Sequence, residues 1–94
     1  MRILWTDEAL DDLAEIVAYY HAAASLRTAE SVERRIIEQV EGLPPFPERV
    51  RKSDRVSGAR ELVVNRLPYI VFVQLLPDAI VVLNAVHTAR KFPA

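Results

Sequence analysis

The stretch "PYIVFVQLLPDAIVVLNAVH", residues 68–87, decides the fold. It holds two runs dense in Val, Ile, Leu and aromatic residues, split at "LPDA". Branched and aromatic side chains suit a pleated surface, and each run has the length of a strand. Neither run alternates cleanly with polar residues. Both strands are therefore expected to be buried on two faces or to lie in the middle of a sheet. The break is of hairpin length, so 68–76 and 79–87 should pair antiparallel. Just upstream, "SDRVSGARELVVN" (53–65) carries "ELVV" after a glycine and joins the next run through "NRLP", giving another strand.

The first half reads differently. "RILW" (2–5) is short, apolar and β-capable. Thr6 can cap a helix whose first turn holds Asp7 and Glu8, where the helix dipole favours acids. Leu10, Leu13, Val17 and Tyr20 follow at spacings of three or four, widened by Ala9 and Ile16, which predicts an amphipathic helix over 7–23. Ser25 or Thr28 can cap a second helix with the stripe Ala29, Val32, Ile36, Val40 and Leu43. Gly42 and "LPPFPE" (43–48) end it, because proline lacks the amide proton and clashes with the preceding turn. The element order is β-α-α-β-β-β. An α+β fold is expected, with a helical hairpin packed on a small, mainly antiparallel sheet made from strand 1 and the three C-terminal strands.

Ninety-four residues make one domain, expected to span 1–94. A hydrophobic share of 51% argues for a true core and against disorder. With no cysteine there is no disulfide framework and no thiolate metal site. No run approaches the ~20 apolar residues of a membrane helix. The start turns acidic too soon for a secretory signal. A soluble cytoplasmic protein that does not engage a membrane is expected.

The net charge of -1 hides an asymmetry. Residues 1–48 hold four Lys/Arg and ten Asp/Glu, whereas residues 49–94 hold eight and three. The acidic helical half should be a poor surface for nucleic acid. In the basic half, Arg49, Arg51, Lys52 and Arg55 fall on a loop or irregular strand, Arg60 and Arg66 flank the following strand, and Arg90 and Lys91 follow the last. If these cations converge on one face they would bind phosphates. The alternative is scattered, solvated charge.

Neither a metal nor a cofactor is expected. His21 and His87 lie on different elements, and there is no HExxH motif, phosphate loop or nucleophile elbow. Metal-free RNA cleavage would need a base, cations for the phosphate and an acid. Arg60, His87 and Arg90 are the candidates, with Glu61 as a second proton carrier. Arg60 and Glu61 are neighbours on a strand and point to opposite faces.

The element order resembles the RelE/ParE superfamily of type II toxin–antitoxin toxins. So do "WTDEALDDLAEI" (5–16), the proline-rich break after helix 2, "GARELVV" (58–64), "PYIVFV" (68–73) and "VHTARKFP" (86–93). The likeness covers essentially the whole chain. It implies a growth-inhibiting toxin, a role in plasmid stabilisation, and neutralisation by a cognate antitoxin in a hetero-oligomer. The antitoxin would use the helical hairpin, with Leu10, Leu13, Val17 and Tyr20, and the sheet edge. The superfamily divides by target. A ParE-like member binds DNA gyrase and is not an enzyme, whereas a RelE-like member is a metal-independent endoribonuclease that cleaves mRNA on the ribosome. Long helices, a His87-x-x-Arg90 tail and a pI near 6.1 favour the ParE-like branch. The target-binding residues implied are Arg51, Lys52, Arg55, Arg60, Arg90 and Lys91. The alternatives are the ribosome-dependent nuclease and a degenerate, weakly toxic member.

Overall fold

The computed structural model describes residues 1–45 and 50–89. It contains β1 (Arg2–Trp5), α1 (Asp7–Ala23), α2 (Leu26–Glu41), β2 (Arg51–Lys52), β3 (Arg60–Val63), β4 (Tyr69–Leu75) and β5 (Ala79–His87). The five strands form one sheet in the order β1-β5-β4-β3-β2. β1 runs parallel to β5, and every other pair is antiparallel. The expected four-strand sheet thus gains a two-residue edge strand, β2, from the segment read as a loop or irregular strand.

Local chemistry sets the helix ends. The Thr6 hydroxyl accepts the amide proton of Ala9 at 3.0 Å, and Ser25 does the same for Thr28 at 3.0 Å. Of the two candidate caps for α2, Ser25 is the one used. Gly42 ends α2 by donating its N–H to Glu38 O at 2.9 Å.

The helical hairpin lies on one face of the sheet. Ala9, Leu13 and Ile16 of α1 and Val32, Ile36 and Val40 of α2 pack against Val71 and Val73 of β4 and Ile80, Val82 and Ala85 of β5. Each fully buried Val or Ile here contributes about 1.5–3 kcal/mol relative to exposure. The opposite face carries a smaller cluster of Ala59, Ile70, Phe72 and Val86, joined by Val56 and Leu83. Residues 69–73 of β4 are accordingly all buried, as a continuous apolar run requires.

A bulge in β5 decides which face its last residues occupy. Val73 pairs with Val82, but Phe72 pairs with Asn84, so Leu83 is the extra residue. An extra residue shifts the two-residue alternation by one. Ile80 and Val82 face the helices before it, and Ala85 and His87 face them after it. Without the bulge His87 would share the face of Val81 and Leu83.

β1 stops at Trp5, opposite Val82, leaving the outer edge of β5 uncovered beyond that point. The start of α1 covers it. Thr6 donates its N–H to Val82 O at 3.1 Å and its hydroxyl proton to Leu83 O at 2.9 Å. The Asp12 carboxylate then accepts Ala85 N–H at 2.9 Å. Two side chains from α1 and its cap thus replace strand partners that β1 is too short to supply.

Candidate functional site

The first candidate region is the β2 edge. Arg51 lies opposite Glu61, and Lys52 opposite Arg60. Paired residues share a face, so Arg51 and Glu61 stand on one side of the sheet and Lys52 and Arg60 on the other. Arg51, Lys52 and Arg60 therefore gather at one edge but divide between its two faces, so these three do not form the single convergent face that was one of the two possibilities. Arg60 is half-buried and spends a guanidinium proton on Val50 O at 3.1 Å. Arg49, Arg90 and Lys91 lie outside the described residues.

Glu61, weighed as a proton carrier, is built into the fold. Its side chain is 2% exposed. One oxygen accepts from Arg51 at 3.1 Å and the other from the Ser53 hydroxyl at 2.7 Å. Ser53 Oγ in turn accepts the amide protons of Arg55 and Val56 at 3.0 and 2.9 Å. Glu61 thereby anchors the turn that carries Arg55. Burial pushes its carboxyl upward. The Ser53 hydroxyl, the Arg51 guanidinium and the nearby charges of Arg55 and Arg51 outweigh burial and hold it below the ordinary carboxylate range.

The second region is the corner where α1 meets the end of β5. His87 pairs with Tyr69, their rings edge-on with centroids 5.4 Å apart. Tyr69 meets Tyr20 at 6.4 Å, and Tyr20 meets Tyr19 at 5.2 Å, again edge-to-face. Burial pushes the Tyr69 hydroxyl up to about 12, aided by the Tyr20 hydroxyl beside it and by the Tyr20 and Tyr19 charges that form at high pH. The exposed His87 imidazole accepts Ala89 N–H at its Nδ1, 3.0 Å away. That bond assigns the neutral ring's proton to Nε2 and occupies the lone pair a base would use.

Arg60 and His87 are not brought together. Arg60 sits opposite Val73 and His87 opposite Tyr69, with β4 between their strands. Four residues along a strand and two strand spacings put their backbones roughly 17 Å apart. Core residues under the helices fill that interval. Among the described residues, no group of three or more His, Cys, Asp or Glu could hold a metal ion, and no helix is long and apolar enough to cross a membrane.

The expected antitoxin-facing stripe also divides. Leu13 faces the sheet at 8% exposure, and Val17 and Tyr20 pack half-buried against the core, whereas Leu10 is 49% exposed. The inward stripe runs Ala9, Leu13, Ile16 and Tyr20. It is rotated from the one read in the sequence, so Leu13 supports the helix from beneath. Two contributors had escaped the sequence reading. Asp12 carries no pattern that would mark it as a partner of β5. Ser53 does carry one, since serine opening a turn commonly bonds the amides that follow.

A helical hairpin on a mixed sheet, with the first strand parallel to the last, defines a RelE/ParE-type toxin scaffold. A model of the "ParE toxin of type II toxin-antitoxin system, parDE" matches residues 3–92. The chain is 34% identical over 92 residues to "Putative toxin Y4kP" of Sinorhizobium fredii, covering 98% of this chain and 93% of that protein. It is similar to a solved structure described as "Chromosomal ParDE TA system from P. aeruginosa", with a TM-score of 0.84 and 27% identity over 93% of this chain and 95% of that one. The chain belongs to the ParE toxin family of type II toxin–antitoxin systems.

Proposed function

We propose that this ParE-family chain arrests growth by binding DNA gyrase and is held inactive by a cognate antitoxin, in a hetero-oligomer. The observation that carries the gyrase reading over the nuclease one is the separation of Arg60 from His87 by packed core. A cleavage site needs its proton carrier and its cations within hydrogen-bond reach of one phosphate. Target contact then falls to the basic edge, with Arg51, Lys52, Arg55 and Arg60 as the described residues, and with Arg90 and Lys91 retained from the family likeness. Antitoxin contact falls to the hairpin, with Leu10 as the exposed apolar anchor flanked by Val17 and Tyr20.

The test pairs two assays on the purified chain. Gyrase supercoiling should be inhibited, and mRNA on translating ribosomes should stay intact. Cleaved mRNA with normal supercoiling would overturn the reading in favour of a nuclease. Inactivity in both assays, with unimpaired growth on expression, would indicate a degenerate toxin.

A further inference from the structure

We propose that the corner bounded by Tyr19, Tyr20, Tyr69 and His87, with Glu15 at its rim, is a receptor for one arginine side chain presented by a protein partner. The four rings line a hollow of about 340 Å³. A second, adjoining hollow of about 270 Å³ is bordered by Tyr19, Tyr69 and His87 and also by Asp12 and Glu15. The two hollows share three of their walls and so form one recess with an aromatic interior and a carboxylate rim.

The walls are suited to a cation. Successive rings stand at interplanar angles of 86°, 67° and 82°, so faces and edges are offered from several directions. An aromatic face attracts a cation through its quadrupole, and the attraction grows where water is excluded. Tyr69, buried at the back, stays neutral through the physiological range. Tyr19 is 61% exposed, a large ring displayed on the surface with no core to fill.

The rim points the same way. Asp12, Glu15 and Tyr19 recur at spacings of three and four, so α1 aligns them on one face. Asp12 is committed to Ala85 N–H. Glu15 is exposed and has no ion-pair partner among the described residues. The whole of α1 carries Asp7, Glu8, Asp11, Asp12 and Glu15 and no Lys or Arg, so the field along it draws positive charge toward the recess. A guanidinium fits better than an ammonium. It is planar, stacks on a ring and presents a fork of donors that matches the Glu15 carboxylate. The inference is independent of the gyrase reading, because any partner with a suitably placed arginine would use the site.

The test uses the full chain and a pair of small probes, N-acetyl-arginine amide and its neutral isostere N-acetyl-citrulline amide, followed by NMR. The arginine probe should shift the ring protons of Tyr19, Tyr69 and His87 saturably in the millimolar range, and the citrulline probe should bind at least fivefold more weakly. Glu15→Gln and Tyr19→Ala, both at exposed positions, should each weaken the arginine probe severalfold while Tyr19→Phe preserves it. Equal shifts from both probes, or arginine-specific shifts confined to other acidic residues, would overturn the proposal.

Discussion

The Asp12 carboxylate accepts the amide proton of Ala85 at 2.9 Å, tying the second turn of α1 to β5 just past its bulge. Removing the acceptor leaves a strand amide without its partner, which costs about 1–3 kcal/mol when the group is buried. Asp12→Ala should therefore lower the urea midpoint and speed hydrogen exchange at Ala85. Asp12→Asn keeps an acceptor oxygen and should cost less. Unchanged exchange at Ala85 in Asp12→Ala would show that the bond contributes nothing.

Thr6 has two roles at the same edge, since its hydroxyl caps α1 and also bonds Leu83 O. Thr6→Val keeps the shape and removes both bonds. Loss of the cap alone costs about 0.5–2 kcal/mol. The variant should fall at or above the middle of that range in a denaturation experiment, while Thr6→Ser should lie close to the parent.

Glu61 makes stability depend on acid. Its folded pKa lies below the ordinary value of 4.5, so its contribution is fully present above that pH and is lost as pH falls through the folded value. Urea midpoints taken from pH 7 down to pH 3 should fall for the parent. They should fall less steeply for Glu61→Gln, which cannot ionise. Parallel curves for the two proteins would remove Glu61 from the acid response.

Tyr69 acts at the other end of the scale. Its folded pKa of about 12 exceeds the unfolded value of 10.0, so its contribution is intact below pH 10 and is lost as pH rises toward 12. The chain has three tyrosines. A phenolate absorbance titration should therefore show one of them titrating late, and Tyr69→Phe should abolish that late phase. A late phase that survives in Tyr69→Phe would assign it to another ring.

Much of this architecture is legible in the sequence because its signals are local. α1 begins where Thr6 predicts and spans Asp7–Ala23 as its periodicity marked, and β5 spans Ala79–His87 as the apolar run after the "LPDA" break marked. What escapes the sequence is non-local. The Leu83 bulge is invisible in "AIVVLNAVH", because only pairing with β4 shows that Leu83 has no residue opposite it. That single step governs the orientation of His87, and with it the aromatic corner. The split of Arg51 from Lys52 follows from a two-residue strand too short to leave a pattern. Glu61 reads as a spare acid until the fold folds Ser53 and Arg51 back over it.

The strand order has a consequence for how the protein is made. β1 leaves the ribosome well before β5, yet among the described residues its sheet neighbour is β5, with Arg2 beside Ala79. The helices emerge next, with their apolar stripes facing a floor that has not been synthesised. Such distant pairing is slow to form and leaves sticky surface exposed in the interval. A message cut short before Ala79 leaves β1 without its partner strand and the helices without Ile80, Val82 and Ala85 beneath them, and such a chain is prey for proteases. The sheet can therefore close only once β5 has been made and takes its place between β1 and its hairpin partner β4.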